Sequence, residues 1–220
     1  MPRQPKKVNY TEADLIKSFS LNRVKQPTTP EMARWLAVQP PILNAGEQYS
    51  FDRILPFAID NIDSWNEEAL KMHFIAHILP LGHMLPNGRY GTFYEKTISA
   101  TINDIRLTTK TDFMVATGIL DTPDTPYFHF QEYKPSKRPT GDSMAQLIEA
   151  MLIAQEKNKN GKPIYGAEIV GQKWVFVILK DRTYCLSKAF DSANKDGLLA
   201  IIAILRHFIH ILETELLDDI

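Results

Sequence analysis

The chain has 220 residues, 44% of them apolar and 23% charged, with a formal net charge of -1. That length and composition fit one domain with an appendage, and the near-neutral balance excludes a generic basic nucleic-acid coat while leaving room for a local basic groove. The single cysteine, Cys185, excludes an internal disulfide framework and a multi-cysteine zinc site, and points to a reducing cytoplasm.

The basic, proline-bearing residues 1–10 are not followed by an apolar stretch, so no secretory signal is expected. Thr11 caps a predicted helix through Phe19, with Glu12 and Asp14 in its first turn. Thr29-Pro30-Glu31 starts a second, through about Val38, stopped by Gln39-Pro40-Pro41. Residues 42–63 give weak signals, so 1–63 reads as a small N-terminal helical extension.

A helix is predicted from Glu67 to about Leu79, with Leu70, Phe74 and Ile78 on one stripe that Glu67 extends. His73 and His77 are four apart and could share a metal. No Glu follows the first His and no third ligand is evident, so two solvated or hydrogen-bonded histidines are expected. Tyr90 to Ala116 predicts two or three strands with a turn near Asn103-Asp104, and Thr117 to Pro126 reads as a turn-rich connection.

Next comes Tyr127-Phe-His-Phe-Gln-Glu-Tyr-Lys134, a strand on which Phe128, Phe130, Glu132 and Lys134 alternate onto one face. A core-facing row that ends in a carboxylate and an ammonium needs compensation, because an unpaired buried charge is costly. Pairing Ala116 with Phe128 in an antiparallel hairpin sets Asp112 opposite Glu132, with side-chain roots about 5 Å apart. A divalent cation would relieve that repulsion, with Lys134 beside it.

Asp142 or Ser143 caps a predicted helix from Met144 to about Lys157, closed by Asn158-Lys-Asn-Gly161. Strands follow at Tyr165–Val170, Trp174–Leu179 and Thr183–Ser187. The last predicted helix runs from Lys195 or Leu198 to about Leu217; its most apolar run, Leu198–Leu205, is far short of a membrane span.

Asp112, a spacer of nineteen residues and Glu132-Tyr-Lys134 resemble the PD-(D/E)XK signature of the restriction-endonuclease-like nuclease superfamily. Glu67, with Glu68 as second choice, resembles its first-helix acidic residue. Gln146 is similar to a glutamine that many branches carry after the E-x-K strand, among them the N-terminal nuclease domains of type I restriction R subunits. The Trp-Asn-Glu-Glu, Glu-Tyr-Lys-Pro and Tyr-Gly…Val-Gly-Gln-Lys-Trp blocks are similar to those of a bacterial branch. Thr111 stands where the signature has proline.

The resemblance implies an α/β restriction-endonuclease-like core over 64–220, a mixed central sheet flanked by helices. It also implies a Mg²⁺- or Mn²⁺-dependent nuclease. Asp112, Glu132 and Glu67 would hold the metal, with Lys134 and Gln146 completing the catalytic set; Glu95 is an alternative to Glu67. The implied partner is nucleic acid, DNA in first place, with no membrane; a homodimer is compatible. A catalytically silent binding module on the same fold is the alternative. Lys137, Arg138, Lys157, Lys159, Lys162 and Lys173 flank the motif and could meet phosphates.

Overall fold

A computed structural model describes residues 10–25, 28–137 and 139–217. Arg138 and residues 1–9 lie outside the described residues. Seven strands form one mixed sheet in the order β1-β7-β6-β5-β4-β3-β2. They are β1 (Asn22–Val24), β2 (Gly91–Ile102), β3 (Ile105–Ile119), β4 (Thr122–Lys134), β5 (Ile164–Val170), β6 (Lys173–Lys180) and β7 (Thr183–Asp191). β4 runs parallel to β5 and β1 parallel to β7; the other neighbours are antiparallel.

Helices cover both faces. On one lie α1 (Glu12–Phe19) and the largely buried α6 (Ser143–Asn158). On the other lie α2 (Pro30–Leu36), α3 (Ala45–Asn61), α5 (Ala76–Leu81) and α7 (Lys195–Ile211). α4 (Glu67–Leu70) leads into α5 through a π-helical turn, Lys71–Ile75. Capping explains several boundaries. Thr11 and Asp14 form a reciprocal capping box, Asn44 and Glu47 form another, and the Asp142 carboxylate accepts from Ala145 N–H.

Several expectations change. Residues 45–61 form a full helix, whose signal was the Asn44…Glu47 box. The N-terminal region is not purely helical, because β1 joins the sheet and Trp35 of α2 is fully buried, donating its indole N–H to the Ile204 carbonyl. β3 and β4 reach to Ile119 and back from Thr122, so the turn-rich connection expected over Thr117 to Pro126 is mostly strand, closed by a tight turn. α6 ends on Lys159 in the left-handed conformation, ahead of Gly161. The last helix continues through a second π turn to Leu216. Its 22 residues are long and apolar enough to cross a membrane, and 56% of the most apolar window is buried inside the fold.

The β3–β4 register carries the most weight. Val115 pairs with His129, Met114 with Phe130 and Phe113 with Gln131, but Ala116 pairs with Tyr127. One extra residue, Phe128, is accommodated at this bulge, which turns a side chain from one face to the other. Phe128 therefore packs in the α7-side core and Phe130 in the α6-side core, and the expected Ala116–Phe128 pair does not form.

Candidate active site at the fork between β3 and β4

The last β3–β4 pair is Phe113–Gln131, whereas β4 stays paired with β5 as far as Lys134–Val170. β4 thus parts from β3 at Glu132, and Asp112 lies one step further along β3. The Tyr133 N–H, which has no β3 carbonyl to meet, donates to Asp112 Oδ2 at 2.8 Å. A side-chain carboxylate continues the ladder where the backbone leaves it. On the other side of β3, Tyr94–Phe113 and Lys96–Thr111 pair, which leaves Glu95 across from Asp112. Glu95 has φ 56°, a left-handed backbone uncommon for a residue with a Cβ and found where local geometry is over-determined by its surroundings. Glu95, Asp112 and Glu132 form a row across three adjacent strands.

Two lysines hold this row. Lys134 Nζ is 3.1 Å from Glu132 Oε1 and 3.5 Å from Glu67 Oε2. Lys71, at the start of the π turn, donates to Asp112 Oδ1 at 2.7 Å, Glu95 Oε1 at 2.8 Å and Glu67 Oε1 at 3.0 Å. Its ammonium also lies 6.0 Å from the centre of the Tyr133 ring. Glu132, Lys134 and Asp112 are buried, at 3%, 7% and 9% exposure, so these charges meet with little solvent screening.

The consequences for protonation are unequal. Burial, and then the charge of Asp112, push the Glu132 carboxyl up to about 8 against the pull of Lys134. Burial also raises Asp112, even though Lys71 and the Tyr133 N–H favour its ionised form. Burial works against both ammonium groups, but is outweighed. Asp112, Glu95 and Glu67 hold Lys71 above the usual lysine range, and Glu132 and Glu67 do the same for Lys134. Lys110 and Lys71 bring Glu95 down to about 2 against its own desolvation.

Of the residues singled out by sequence, Glu67, Asp112, Glu132 and Lys134 come together. Glu67, not the exposed Glu68, turns into the cluster, and Glu95 joins beside Glu67 without replacing it. Gln146, in the first turn of α6, is half-buried beside Gly141. Among the described residues no hydrogen bond joins it to Asp112, Glu132 or Lys134. The residue that the pattern missed is Lys71. Its signal was its place four residues after Glu67, a spacing that also describes any surface ion pair. His73 packs against Phe57 and Trp65.

Among the described residues no three His, Cys, Asp or Glu side chains stand ready to hold a metal ion; three carboxylate oxygens of the cluster are engaged by Lys71 instead. The donor chemistry nevertheless fits a hard divalent cation, because Asp112, Glu132 and Glu67 are oxygen ligands in mutual repulsion and Glu132 is driven towards protonation. Alongside runs a groove of about 400 Å³, lined by Met72, Ile75, Leu79, Leu85 and Tyr94 and ending at Lys71, Glu95 and Asp112. No family model matches the chain, and no curated protein matches it.

Proposed function

We propose that the chain is a metal-dependent nuclease that hydrolyses phosphodiester bonds of nucleic acid, DNA in first place, on a restriction-endonuclease-like core. The observation that carries this reading is the convergence of Asp112, Glu132, Lys134 and Glu67 at the fork, together with the order helix, three antiparallel strands ending in Glu-Tyr-Lys, helix and parallel strand. Asp112, Glu132 and Glu67 would hold Mg²⁺ or Mn²⁺. The ion, when bound, supplies a Lewis acid for the phosphoryl oxygen and a lowered pKa for water.

The protein's own groups perform the rest. Glu132 gives up its proton to become a ligand. Lys134, held charged by Glu132 and Glu67, donates from Nζ to orient the attacking water and to stabilise negative charge that develops on the phosphoryl group. Asp112 keeps its position through the Tyr133 N–H.

A second reading, a catalytically silent module on the same fold, is favoured by one observation: Lys71 takes oxygens that a metal would need. Assays on single-stranded and duplex DNA and on RNA, with Mg²⁺, Mn²⁺ or EDTA, separate the two. The nuclease reading expects metal-dependent cleavage that is lost in Glu132→Ala and Lys134→Ala. Cleavage that persists in both variants would overturn the site, and absence of cleavage with any of these substrates and metals would favour the silent module.

A further inference from the structure

We infer that Lys71 is a built-in stand-in for the metal: its ammonium holds the carboxylates together in the metal-free protein and must be displaced when a divalent cation binds. This rests on the metal-dependent reading above. Three oxygens, from three different elements, converge on Lys71 Nζ: Glu67 Oε1 of α4, Glu95 Oε1 of β2 and Asp112 Oδ1 of β3, at 2.7–3.0 Å. An ammonium has three donors, and all three are used.

Each of these carboxylates is pinned a second time through its other oxygen. Asp112 Oδ2 accepts from Tyr133 N–H, Glu67 Oε2 faces Lys134 Nζ, and Glu95 Oε2 faces Lys110 Nζ. The cradle is therefore fixed from behind as well as by Lys71. Its front is occupied by a single charge on a flexible four-carbon stem. A divalent cation carries twice that charge and draws on the same Asp112 and Glu67 carboxylates. The side chain of Lys71, 16% exposed, lines the groove beside the cluster, which gives the displaced ammonium a place to go. The exposed carboxylate of Glu68 lines the same groove. Lys71 is thus a positioning residue that sets the metal affinity.

Calorimetric titration of MnCl₂ into wild type, Lys71→Met and Lys71→Gln tests this. The expected result is at least about tenfold tighter Mn²⁺ binding in the variants. Each metal-free variant should also melt below wild type, and saturating Mn²⁺ should raise its melting temperature more than it raises that of wild type. A measurement on wild type alone adds to this: acetylation of Lys71, followed by peptide mass spectrometry, should accelerate several-fold on addition of Mn²⁺, because the displaced amine loses three carboxylate partners. If wild type binds Mn²⁺ but the variants bind equally or more weakly, or if Lys71 acetylation does not change, the stand-in role is wrong while the metal reading survives. If neither wild type nor variants bind Mn²⁺, both fall.

Discussion

The two faces of β4 solve the same problem in opposite ways. On the α7 side, His129, Gln131 and Tyr133 form a neutral ladder. The Tyr133 hydroxyl donates to Gln131 Oε1 at 2.6 Å, and Gln131 Nε2 lies 3.1 Å from His129 Nε2. On the α6 side the same strand turns Phe130, Glu132 and Lys134, and here satisfaction comes from Asp112, Glu67 and, through them, Lys71 and Glu95. The neutral ladder is nearly self-contained on one strand, with only His129 Nδ1 left unpartnered. The charged row draws on two more strands and a helix. A buried polar group that only needs hydrogen bonds finds them locally. Buried ionisable groups recruit counter-charges from the whole neighbourhood, which is the arrangement expected where charge has work to do beyond stability.

This contrast can be broken by substitution, and the largest effects should be on activity. Asp112→Asn or Lys134→Met should reduce Mg²⁺-dependent cleavage by about 10²–10³-fold or more, whereas Gln131→Leu on the opposite face should leave Mn²⁺ affinity unchanged. Cleavage rates and calorimetry on the same preparations check this pair. In stability, Asp112→Ala takes one of three carboxylate partners from Lys71 and leaves the buried Tyr133 N–H without its acceptor, a loss of about 3 kcal/mol in denaturant unfolding without metal. Tyr133→Phe, which deletes only the hydroxyl donor to Gln131, should cost about 1–3 kcal/mol.

The most gradual effects lie in pH, and the two faces should show opposite signs. Glu132 has a folded pKa of about 8, raised from 4.5 by burial. Its contribution is therefore fully present below 4.5 and is lost as pH rises through 8, at no more than about 1.4 kcal/mol per pH unit. His129 is depressed from 6.5 to about 3 by burial, so its contribution is fully present above 6.5 and is lost as pH falls through 3. Melting temperatures of the metal-free protein across pH should trace a dome. Glu132→Gln should flatten its alkaline limb and His129→Phe its acid limb; unchanged limbs would refute the assignment.

Much of this contrast was legible in the sequence, but not all of it. The strand, the E-x-K spacing and the sum of positions that sets Asp112 against Glu132 can be read from alternation and antiparallel geometry. The particular pair used to fix that register, Ala116 with Phe128, does not exist; the bulge that absorbs Phe128 lies beyond Val115–His129, so the register at the fork is preserved. Bulges respond to packing on both faces of the sheet, which a single strand's pattern does not contain. Lys71 was hidden for a related reason: a Glu67–Lys71 pair has the same sequence whether it lies on a solvated helix or closes a buried cluster. Glu95 needed the β2–β3 register and its left-handed backbone to appear. The α3 helix carries Gly46 and Pro56, which obscured its pattern while the capping box announced its start.

The most direct test is a crystal of the wild-type protein grown or soaked with MnCl₂, with anomalous differences measured for manganese. The account predicts a peak in contact with the Asp112 and Glu132 carboxylates, with Lys71 Nζ withdrawn from Asp112. A map without manganese at the fork at saturating MnCl₂, and with Lys71 still bound to Glu67, Glu95 and Asp112, would contradict it.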